Sequence, residues 1–333
     1  MSKVVLGFSG GVDSAVSAVL LQRAGFAVHG VYLDNTGSEA RREAVESAER
    51  MGVELTVVDV HAELEALVCR PFTDCYLHGE TPNPCVLCNR ALKFPALLRE
   101  ADRVGAELVA TGHYARAESG ALYKGRPAND QSYMLCRLTR EQAARLTLPL
   151  GPFEKTQVRA LAAELGLPAA HKKDSMEICF IPDRDYVGWL SKRAALPGPG
   201  DFVFHGKTVG RHEGVVRWTV GQRVPGLYEG RKLYVASIDA EDKRIELALW
   251  EELFQTQLRA ADFNWLIEPP AEDISASVRV RHTKWEEPRC LARALGDGSA
   301  RIFCETPVRA PAPGQSAVLY DGERLLGGGF ITR

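Results

Sequence analysis

Six residues near the start of the chain, Ser9-Gly10-Gly11-Val12-Asp13-Ser14, combine residue types suited to binding phosphate. They follow an apolar run of strand length at residues 3–8, and residues 15–21 predict a helix that ends at Gly25. Adjacent glycines let backbone N–H groups turn inward, and a helix N-terminus favours negative charge. The string therefore predicts a phosphate cradle in a strand–turn–helix. Asp13 would repel a phosphate, which indicates an intervening cation such as Mg²⁺.

Three cysteines in two further stretches have spacing that suits thiol or metal chemistry. Cys85 and Cys88 form a CxxC within residues 81–90 (TPNPCVLCNR), and Cys179 lies within residues 172–182 (KKDSMEICFIP). We expect a helix to begin near Asn89, which places Cys88 at its N-terminus and favours a reactive thiolate. Cys179 sits on a short apolar segment, so a buried and inert thiol is an equal alternative there.

The CxxC leaves three kinds of site open: structural zinc, a redox pair, or part of an iron–sulfur site. Zinc needs further ligands, and Cys69 and Cys75 stand at spacings that zinc ribbons do not use. Thiolates from Cys85, Cys88 and Cys179 could hold three irons of a [4Fe–4S] cluster and leave one iron open. The residues alone do not choose between these sites.

Alternating strand and helix patterns occupy the chain to about residue 111. Strands are expected at residues 28–33, 53–60 and 107–111, with a helix at 38–51. This order predicts an α/β, doubly wound parallel sheet, whose ligands bind at the carboxyl ends of the strands. Leu33 and Gly112 end the second and fourth strands, and we expect them to line a nucleotide pocket.

The rest of the chain changes from helical to β-rich patterns. A hairpin is expected over residues 113–124 and a helix over 155–166, after which glycine-punctuated short strands predominate from about residue 197. We expect three domains: a catalytic domain at 1–194, a small central β-rich domain at 195–255, and a C-terminal β-barrel at 256–333.

Composition limits the class of protein and its setting. The 333 residues are 45% hydrophobic and 25% charged, and no apolar run approaches membrane-spanning length. The chain runs directly into a strand and holds eight cysteines, so we expect no targeting peptide and a cytoplasmic, reducing location. The net charge is −2, but residues 155–234 hold 13 Lys and Arg against 8 Asp and Glu. This local basic surface suits an RNA, with Trp218, Arg223 and Tyr228 as stacking groups.

The glycine string resembles the PP-loop (SGGxDS) of enzymes that cleave ATP between the α- and β-phosphates. Together with six further motifs, the chain resembles the tRNA-specific 2-thiouridylases over nearly its whole length. The motifs are residues 7–14 (GFSGGVDS), 79–89 (GETPNPCVLCN), 110–115 (ATGHYA), 130–133 (DQSY), 174–182 (DSMEICFIP), 218–223 (WTVGQR) and 313–317 (PGQSA).

The resemblance implies an ATP-dependent enzyme that converts the wobble uridine (U34) of tRNA to 2-thiouridine and releases AMP and pyrophosphate. It implies that Cys88 is the first catalytic cysteine, that Cys179 carries persulfide sulfur, and that Asp13 serves the ATP site with Mg²⁺. By position, ATP-contacting residues are Gly7, Phe8, Ser9, Gly10, Gly11, Val12, Asp13, Ser14, Leu33 and Gly112. Residues matching tRNA contacts are Asn83, Pro84, Cys85, His113, Asn129, Asp130, Gln131, Arg281, His282 and Gln315.

Two departures from the family pattern bear on mechanism. Some members have Asp where Cys85 stands, so the role of that carboxylate does not transfer and the [4Fe–4S] alternative gains support. Asn129 stands where others carry Lys, so the phosphate contact of that lysine does not transfer. The expected partners are the anticodon arm of tRNA and a persulfide donor protein or sulfide source, with one chain acting as a monomer.

Two other classes of protein remain as alternatives. A PP-loop ligase that forms GMP, NAD or argininosuccinate also releases AMP and pyrophosphate, but it needs neither Cys88 nor Cys179. A non-catalytic RNA-binding or zinc-binding adaptor on a degenerate nucleotide fold is disfavoured by the intact phosphate loop.

Overall fold

The structure, a computed structural model, describes residues 1–35, 39–171, 178–181, 183–228, 230–282 and 287–333. The chain divides into two compact units, each built from separate stretches of sequence. The first unit comprises Met1–Val68, Cys85–Phe180 and Glu323–Leu325, and the second comprises Cys69–Pro84, Ile181–Gly322 and Leu326–Arg333.

A five-stranded parallel sheet forms the centre of the first unit. The strands of this unit are β1 (Lys3–Gly7), β2 (Ala27–Asp34), β3 (Glu54–Asp59), β4 (Leu108–Ala110), β5 (Ala115–Glu118), β6 (Ala121–Lys124) and β7 (Leu146–Thr147). The sheet order is β3-β2-β1-β4-β7, and β5 and β6 form the expected hairpin. Val4, Val5 and Leu6 of β1 are completely buried, as a strand covered on both faces requires. The predicted doubly wound α/β fold is confirmed.

Nine α-helices lie within the described residues. They are α1 (Val12–Arg23), α2 (Glu39–Arg50), α3 (His61–Leu64), α4 (Arg70–Leu77), α5 (Pro84–Cys88), α6 (Phe94–Val104), α7 (Arg140–Ala144), α8 (Lys155–Glu164) and α9 (Tyr186–Ser191). The helix expected at 38–51 is α2, and residue 38 lies outside the described residues. The helical stretch that contains α3 and α4 was not predicted.

The helix expected to begin near Asn89 begins instead at Pro84, so that prediction was wrong. Proline at the first helical position has a preorganised φ and lacks only an N–H that would be unpaired there. Beyond Cys88 the chain passes through a π-helical turn, Asn89–Lys93, into α6. Pro95 near the start of α6 would clash with the carbonyl four residues earlier in a continuous α-helix, and the wider π turn accommodates it. Cys88 therefore lies one turn inside a helix, away from its N-terminus.

Two sheets form most of the second unit, a mixed central sheet and an antiparallel C-terminal sheet. Its strands are β8 (Gly200–Phe204), β9 (Lys207–His212), β10 (Arg223–Tyr228), β11 (Lys232–Asp239), β12 (Arg244–Ala248), β13 (Phe254–Trp265), β14 (Ile274–Arg279), β15 (Arg289–Ala294), β16 (Ala300–Arg309), β17 (Ser316–Asp321) and β18 (Arg324–Ile331). The central sheet has the order β10-β11-β12-β8-β9.

The last six strands follow the order β13-β16-β15-β14-β17-β18, and pairing of β13 with β18 closes them into a barrel. Gly327 makes this closure possible, because a Cβ there would lie 2.1 Å from the carbonyl oxygen of Asn264. The predicted C-terminal β-barrel and central β-rich region are confirmed. Among the described residues, no helix is both long and apolar enough to cross a membrane.

Candidate functional site

The phosphate-binding string forms the turn between β1 and α1, as its residue types predict. Gly10 has a φ of +72°, and a Cβ there would lie 2.8 Å from the Cα of Ala44. The Ser14 hydroxyl donates to the carbonyl of Gly11 (3.0 Å), and the Gly11 N–H donates to the Ser9 hydroxyl (3.4 Å). The N-cap of α1 is Gly11, which has no side chain to cap the helix, so the first turn presents backbone N–H groups of the kind that bind phosphate oxygens.

Asp13 accepts hydrogen bonds from two groups that the sequence patterns did not single out. Lys155 Nζ lies 2.8 and 2.7 Å from the two carboxylate oxygens, and the Tyr114 hydroxyl donates to Oδ1 at 2.6 Å. A positive charge at the first position of a helix interacts unfavourably with the helix dipole. The position of Lys155 at the start of α8 was therefore the sequence signal that could have identified it. Lys155 thus brings to the loop the cation that a Walker motif supplies within its own sequence.

The two strand-end residues expected at the nucleotide pocket both lie in the first unit. Gly112 is packed against the loop, since a Cβ there would lie 3.0 Å from the Cβ of Asp13. Leu33 lies half-buried near the end of β2. Phe8 and Val12 are buried in the core, so only their backbone atoms can face a ligand.

His113 follows Gly112 and is fixed as a neutral imidazole. Asn89 Nδ2 donates to the carbonyl of Met134 (2.9 Å) and lies 3.5 Å from His113 Nε2, which therefore accepts. The ring proton then sits on Nδ1, where it can donate to the Thr111 hydroxyl at 2.7 Å. Burial, reinforced by the charge of Lys93, lowers the pKa of His113 to about 3.

The three cysteines Cys85, Cys88 and Cys179 lie close enough to influence one another's ionisation. Desolvation, followed by charge on Cys88 and Cys85, raises the pKa of Cys179 to about 11, and the charge of Lys93 opposes this shift. Desolvation also raises the pKa of Cys85, with Lys93 again opposing it and Cys88 reinforcing it. Lys93 lies at the end of the π turn, and its positive charge lowers the pKa of Cys85 and Cys179. The sequence analysis did not predict this interaction.

Metal-ligand geometry around these thiols can be assessed only within the described residues. In the ranges that the structure describes, no three His, Cys, Asp or Glu side chains are placed to hold a metal ion. Residues 172–177 and 182 of the motif around Cys179 lie outside the described residues.

The Asn129-Asp130-Gln131 triplet, expected to contact tRNA, makes internal bonds beside the phosphate loop. Asp130 is buried and accepts from the N–H groups of Gly125 (2.8 Å) and Ser132 (3.1 Å). The side chains of the other two bond to residues that flank Asp13: Gln131 Oε1 accepts from the N–H of Tyr114 (3.1 Å), and Asn129 Oδ1 accepts from the N–H of Lys155 (3.2 Å).

Apart from this triplet, Cys85 and His113, which lie in the first unit, the other residues expected to contact tRNA belong to the second unit. Arg281 donates to the carbonyls of Val220 (2.9 Å) and Ala310, while His282 is exposed. Asn83 is buried, Pro84 begins α5, and Gln315 Nε2 donates to the carbonyl of Thr81 at 2.9 Å. Of the expected stacking groups, Trp218 packs edge-on against Phe202 (4.9 Å) and Arg223 is exposed. The Tyr228 side chain lies outside the described part of the chain.

Family models match three consecutive parts of the chain. Residues 2–183 match the tRNA methyl transferase HUP domain, residues 192–248 the tRNA methyl transferase PRC-barrel domain, and residues 255–331 the aminomethyltransferase beta-barrel domain.

The relatives that the chain resembles share one name. This chain is 41% identical to the tRNA-specific 2-thiouridylase MnmA of Syntrophotalea carbinolica, over 99% of this chain and 98% of the relative. It is 40% identical to the protein of the same name from Geobacter metallireducens, over 99% and 96% of the two chains. A solved structure, the U34-tRNA thiolase NcsA of Methanococcus maripaludis with its [4Fe–4S] cluster, shares 22% identity over 57% of this chain and 63% of its own, and its TM-score of 0.37 is too low to bear on the cysteines. By its sequence identity along the whole length, the chain belongs to the tRNA-specific 2-thiouridylase family.

Proposed function

We propose that this protein is a tRNA-uridine 2-sulfurtransferase, which uses ATP to convert the wobble uridine of tRNA to 2-thiouridine. The observation that carries this function is the pairing, in one compact unit, of a phosphate loop with Cys88 and Cys179 in a chain of this family. A PP-loop ligase that uses a nitrogen nucleophile would have no use for the thiols.

ATP makes the uridine C2 oxygen into a leaving group. The oxygen attacks the α-phosphorus, pyrophosphate departs, and the oxygen later leaves C2 as part of AMP. The turn from Ser9 to Ser14 holds the phosphates, and Lys155 neutralises charge that develops on the departing pyrophosphate.

Mg²⁺ fits the loop through a single protein ligand. Asp13 is partly exposed, and one carboxylate with substrate phosphates is a common arrangement for this ion. When bound, the ion neutralises phosphate charge. Asp13 would hold the ion through its carboxylate, which accepts hydrogen bonds from Lys155 in this structure.

Sulfur reaches C2 from a persulfide on Cys179. In the first route the terminal sulfur attacks C2 and expels AMP, and the Cys88 thiolate then attacks the Cys179 sulfur to free the thiocarbonyl. In the second route Cys88 attacks first and releases hydrosulfide, which attacks C2. Both routes end with a Cys88–Cys179 disulfide that an external dithiol must reduce by two electrons.

The cluster mechanism is a second candidate, favoured by the proximity of Cys85 to Cys88 and Cys179. Within the described part of the chain, the three thiols are not placed to hold a metal ion together. Iron and acid-labile sulfide content of protein purified without oxygen distinguishes the two mechanisms.

The partners follow from the reaction. A tRNA supplies the wobble base through its anticodon arm, and the base must leave its stack to reach the thiols. A persulfide donor protein supplies sulfur to Cys179. The monomeric state, the cytoplasmic location, the domain division at residues 194 and 255, and the individual tRNA contacts stay predictions.

Cysteine variants test the function. Iron-free protein given tRNA, ATP and a persulfide donor should form 2-thiouridine, and Cys88→Ala and Cys179→Ala should each reduce the yield by at least a hundredfold. Cys75→Ala, a half-buried cysteine of the second unit, is the matched control and should retain activity. About four irons per chain, with activity lost in Cys85→Ala as well, would favour the cluster mechanism. No thiolation by either form of the protein would contradict the function.

A further inference from the structure

The loop that leads into the cysteine helix is held in place by residues more than 130 positions later in the sequence. This loop, residues 79–83, joins α4 to α5 and has no helix or strand of its own. Gly79 has a φ of +72°, and a Cβ there would lie 2.7 Å from Cγ2 of Ile238. The Thr81 N–H donates to the carbonyl of Pro313 at 2.8 Å, and its hydroxyl donates to Thr219 at 3.4 Å.

Gln315 bonds to the same loop from beside Pro313. Its amide nitrogen donates to the carbonyls of Thr81 (2.9 Å) and Pro82 (3.4 Å). Gly314 has a φ of +86°, and a Cβ there would lie 3.0 to 3.1 Å from three backbone atoms of Thr81. A loop without regular structure must pair its backbone polar groups elsewhere. The N–H groups of Gly79 and Glu80 bond back to the end of α4, and residues 313–315 provide the partners of Thr81 and Pro82.

The chain between these bonds and the first cysteine is short and stiff. Only Asn83 and Pro84 separate Pro82 from Cys85, and two of the residues from 82 to 84 are prolines with fixed φ. Asn83 is buried. The position of Pro82 therefore determines where α5 begins, and Cys88 lies one turn further along that helix.

We propose that Gln315 is a positioning residue for catalysis, which sets the start of the cysteine helix by holding the carbonyls of Thr81 and Pro82. This inference rests on the proposed function. The amide nitrogen of Gln315 bonds to the loop, so the direct contact with tRNA that the resemblance implies would have to use Oε1. A displacement of the reacting sulfur by about 1 Å is enough to slow a reaction by about a hundredfold.

Gln315→Ala tests the proposal by separating rate from binding. We expect the single-turnover thiolation rate at saturating tRNA to fall about tenfold or more, the loss expected from two weakened hydrogen bonds. The Kd for tRNA should stay within about twofold, and amide exchange in residues 79–84 should accelerate. Gln257→Ala, an exposed glutamine on β13, is the matched control and should change none of these quantities.

Gly314→Ala moves the same loop without touching the amide of Gln315. Its Cβ would push Thr81 and strain a positive φ, so it should also lower the rate while leaving the Kd for tRNA unchanged. A Gln315→Ala protein with a raised Kd and an unchanged rate at saturation would overturn the proposal in favour of direct tRNA contact.

Failure of the proposed function gives a different pattern. If the wild-type protein does not thiolate tRNA, amide exchange at residues 79–84 and the rate of Cys88 alkylation by iodoacetamide still report on the loop. Faster exchange and an altered alkylation rate in Gln315→Ala would support the positioning role. Unchanged values for both would contradict it.

Discussion

At the scale of single residues, the site consists of groups whose charges are balanced by specific neighbours. Asp13 accepts hydrogen bonds from Lys155 and Tyr114, and the positive charge of Lys93 lowers the pKa of Cys85 and Cys179. A phosphate loop without a lysine of its own therefore still has a cation within reach. When Mg²⁺ and phosphate occupy the loop, we expect Asp13 to turn to the ion and Lys155 to the phosphate oxygens.

Lys155→Ala should slow tRNA-dependent pyrophosphate release by about a hundredfold, since a lost charge contact in a partly buried site is worth about 2 to 3 kcal/mol. Lys155→Arg should recover part of that rate. Tyr114→Phe removes only a neutral donor to Asp13 and should cost less than tenfold. Radiolabelled ATP hydrolysis measures all three, and an unchanged rate in Lys155→Ala would exclude a role at the phosphates.

His113 should make folding stability fall as the pH falls below neutral. Its folded pKa is about 3, against about 6.5 in an unfolded chain, so between those values the unfolded state binds a proton that the folded state does not. The contribution is at most about 1.4 kcal/mol per pH unit. Thermal unfolding at pH 7.5 and 5.0 should show a larger loss for the wild type than for His113→Gln. The exposed His205→Gln control should behave as the wild type does, and equal losses in all three proteins would contradict the assignment.

The phosphate loop and the cysteines could be read from the sequence because each lies in one short string. Lys155 could not be assigned to Asp13, because 142 positions separate them and their contact depends on how α8 packs. Gln315 and Thr81 are 234 positions apart, so their hydrogen bond had no local signal either.

At the scale of secondary structure, Pro84 sets where the cysteine helix begins, and Gly327 allows the close contact that closes the barrel. The π turn at Asn89–Lys93 connects the cysteine helix to α6 and carries Lys93 at its end. The helix start was misplaced by five residues because Pro84 was interpreted as part of a rigid approach rather than as a first helical residue. The strands were easier to predict, since buried β-branched runs and glycine turns are local patterns.

Gly327→Ala should destabilise the barrel by about 2 kcal/mol or more, because its Cβ would meet the Asn264 carbonyl where β13 and β18 close. Gly296→Ala is the matched control, since, among the described residues other than its chain neighbours, none lies within 4 Å of a Cβ there. Urea unfolding followed by tryptophan fluorescence measures both variants. A Gly327→Ala midpoint equal to that of Gly296→Ala would contradict the role assigned to Gly327 in closure.

At the scale of the whole molecule, the first unit holds the groups that we propose for the chemistry, and the second consists mainly of the central sheet and the barrel. The first unit holds the phosphate loop and all three cysteines, while the loop before α5 belongs to the second. The change from helical to β-rich patterns near residue 197 could be predicted from the sequence. That residues 69–84 belong with the C-terminal half could not, because it depends on contacts such as the stacking of Tyr76 on Tyr186 (5.2 Å).

The stoichiometry of the reaction shows whether the protein is the proposed sulfurtransferase. Protein purified without oxygen would be mixed with tRNA, ATP and a persulfide donor, and AMP, pyrophosphate and 2-thiouridine at position 34 would be counted by mass spectrometry. We expect one AMP and one pyrophosphate for each 2-thiouridine, and no pyrophosphate without tRNA. Formation of ADP and phosphate, or pyrophosphate release with no sulfur at C2 of the wobble uridine, would contradict the account.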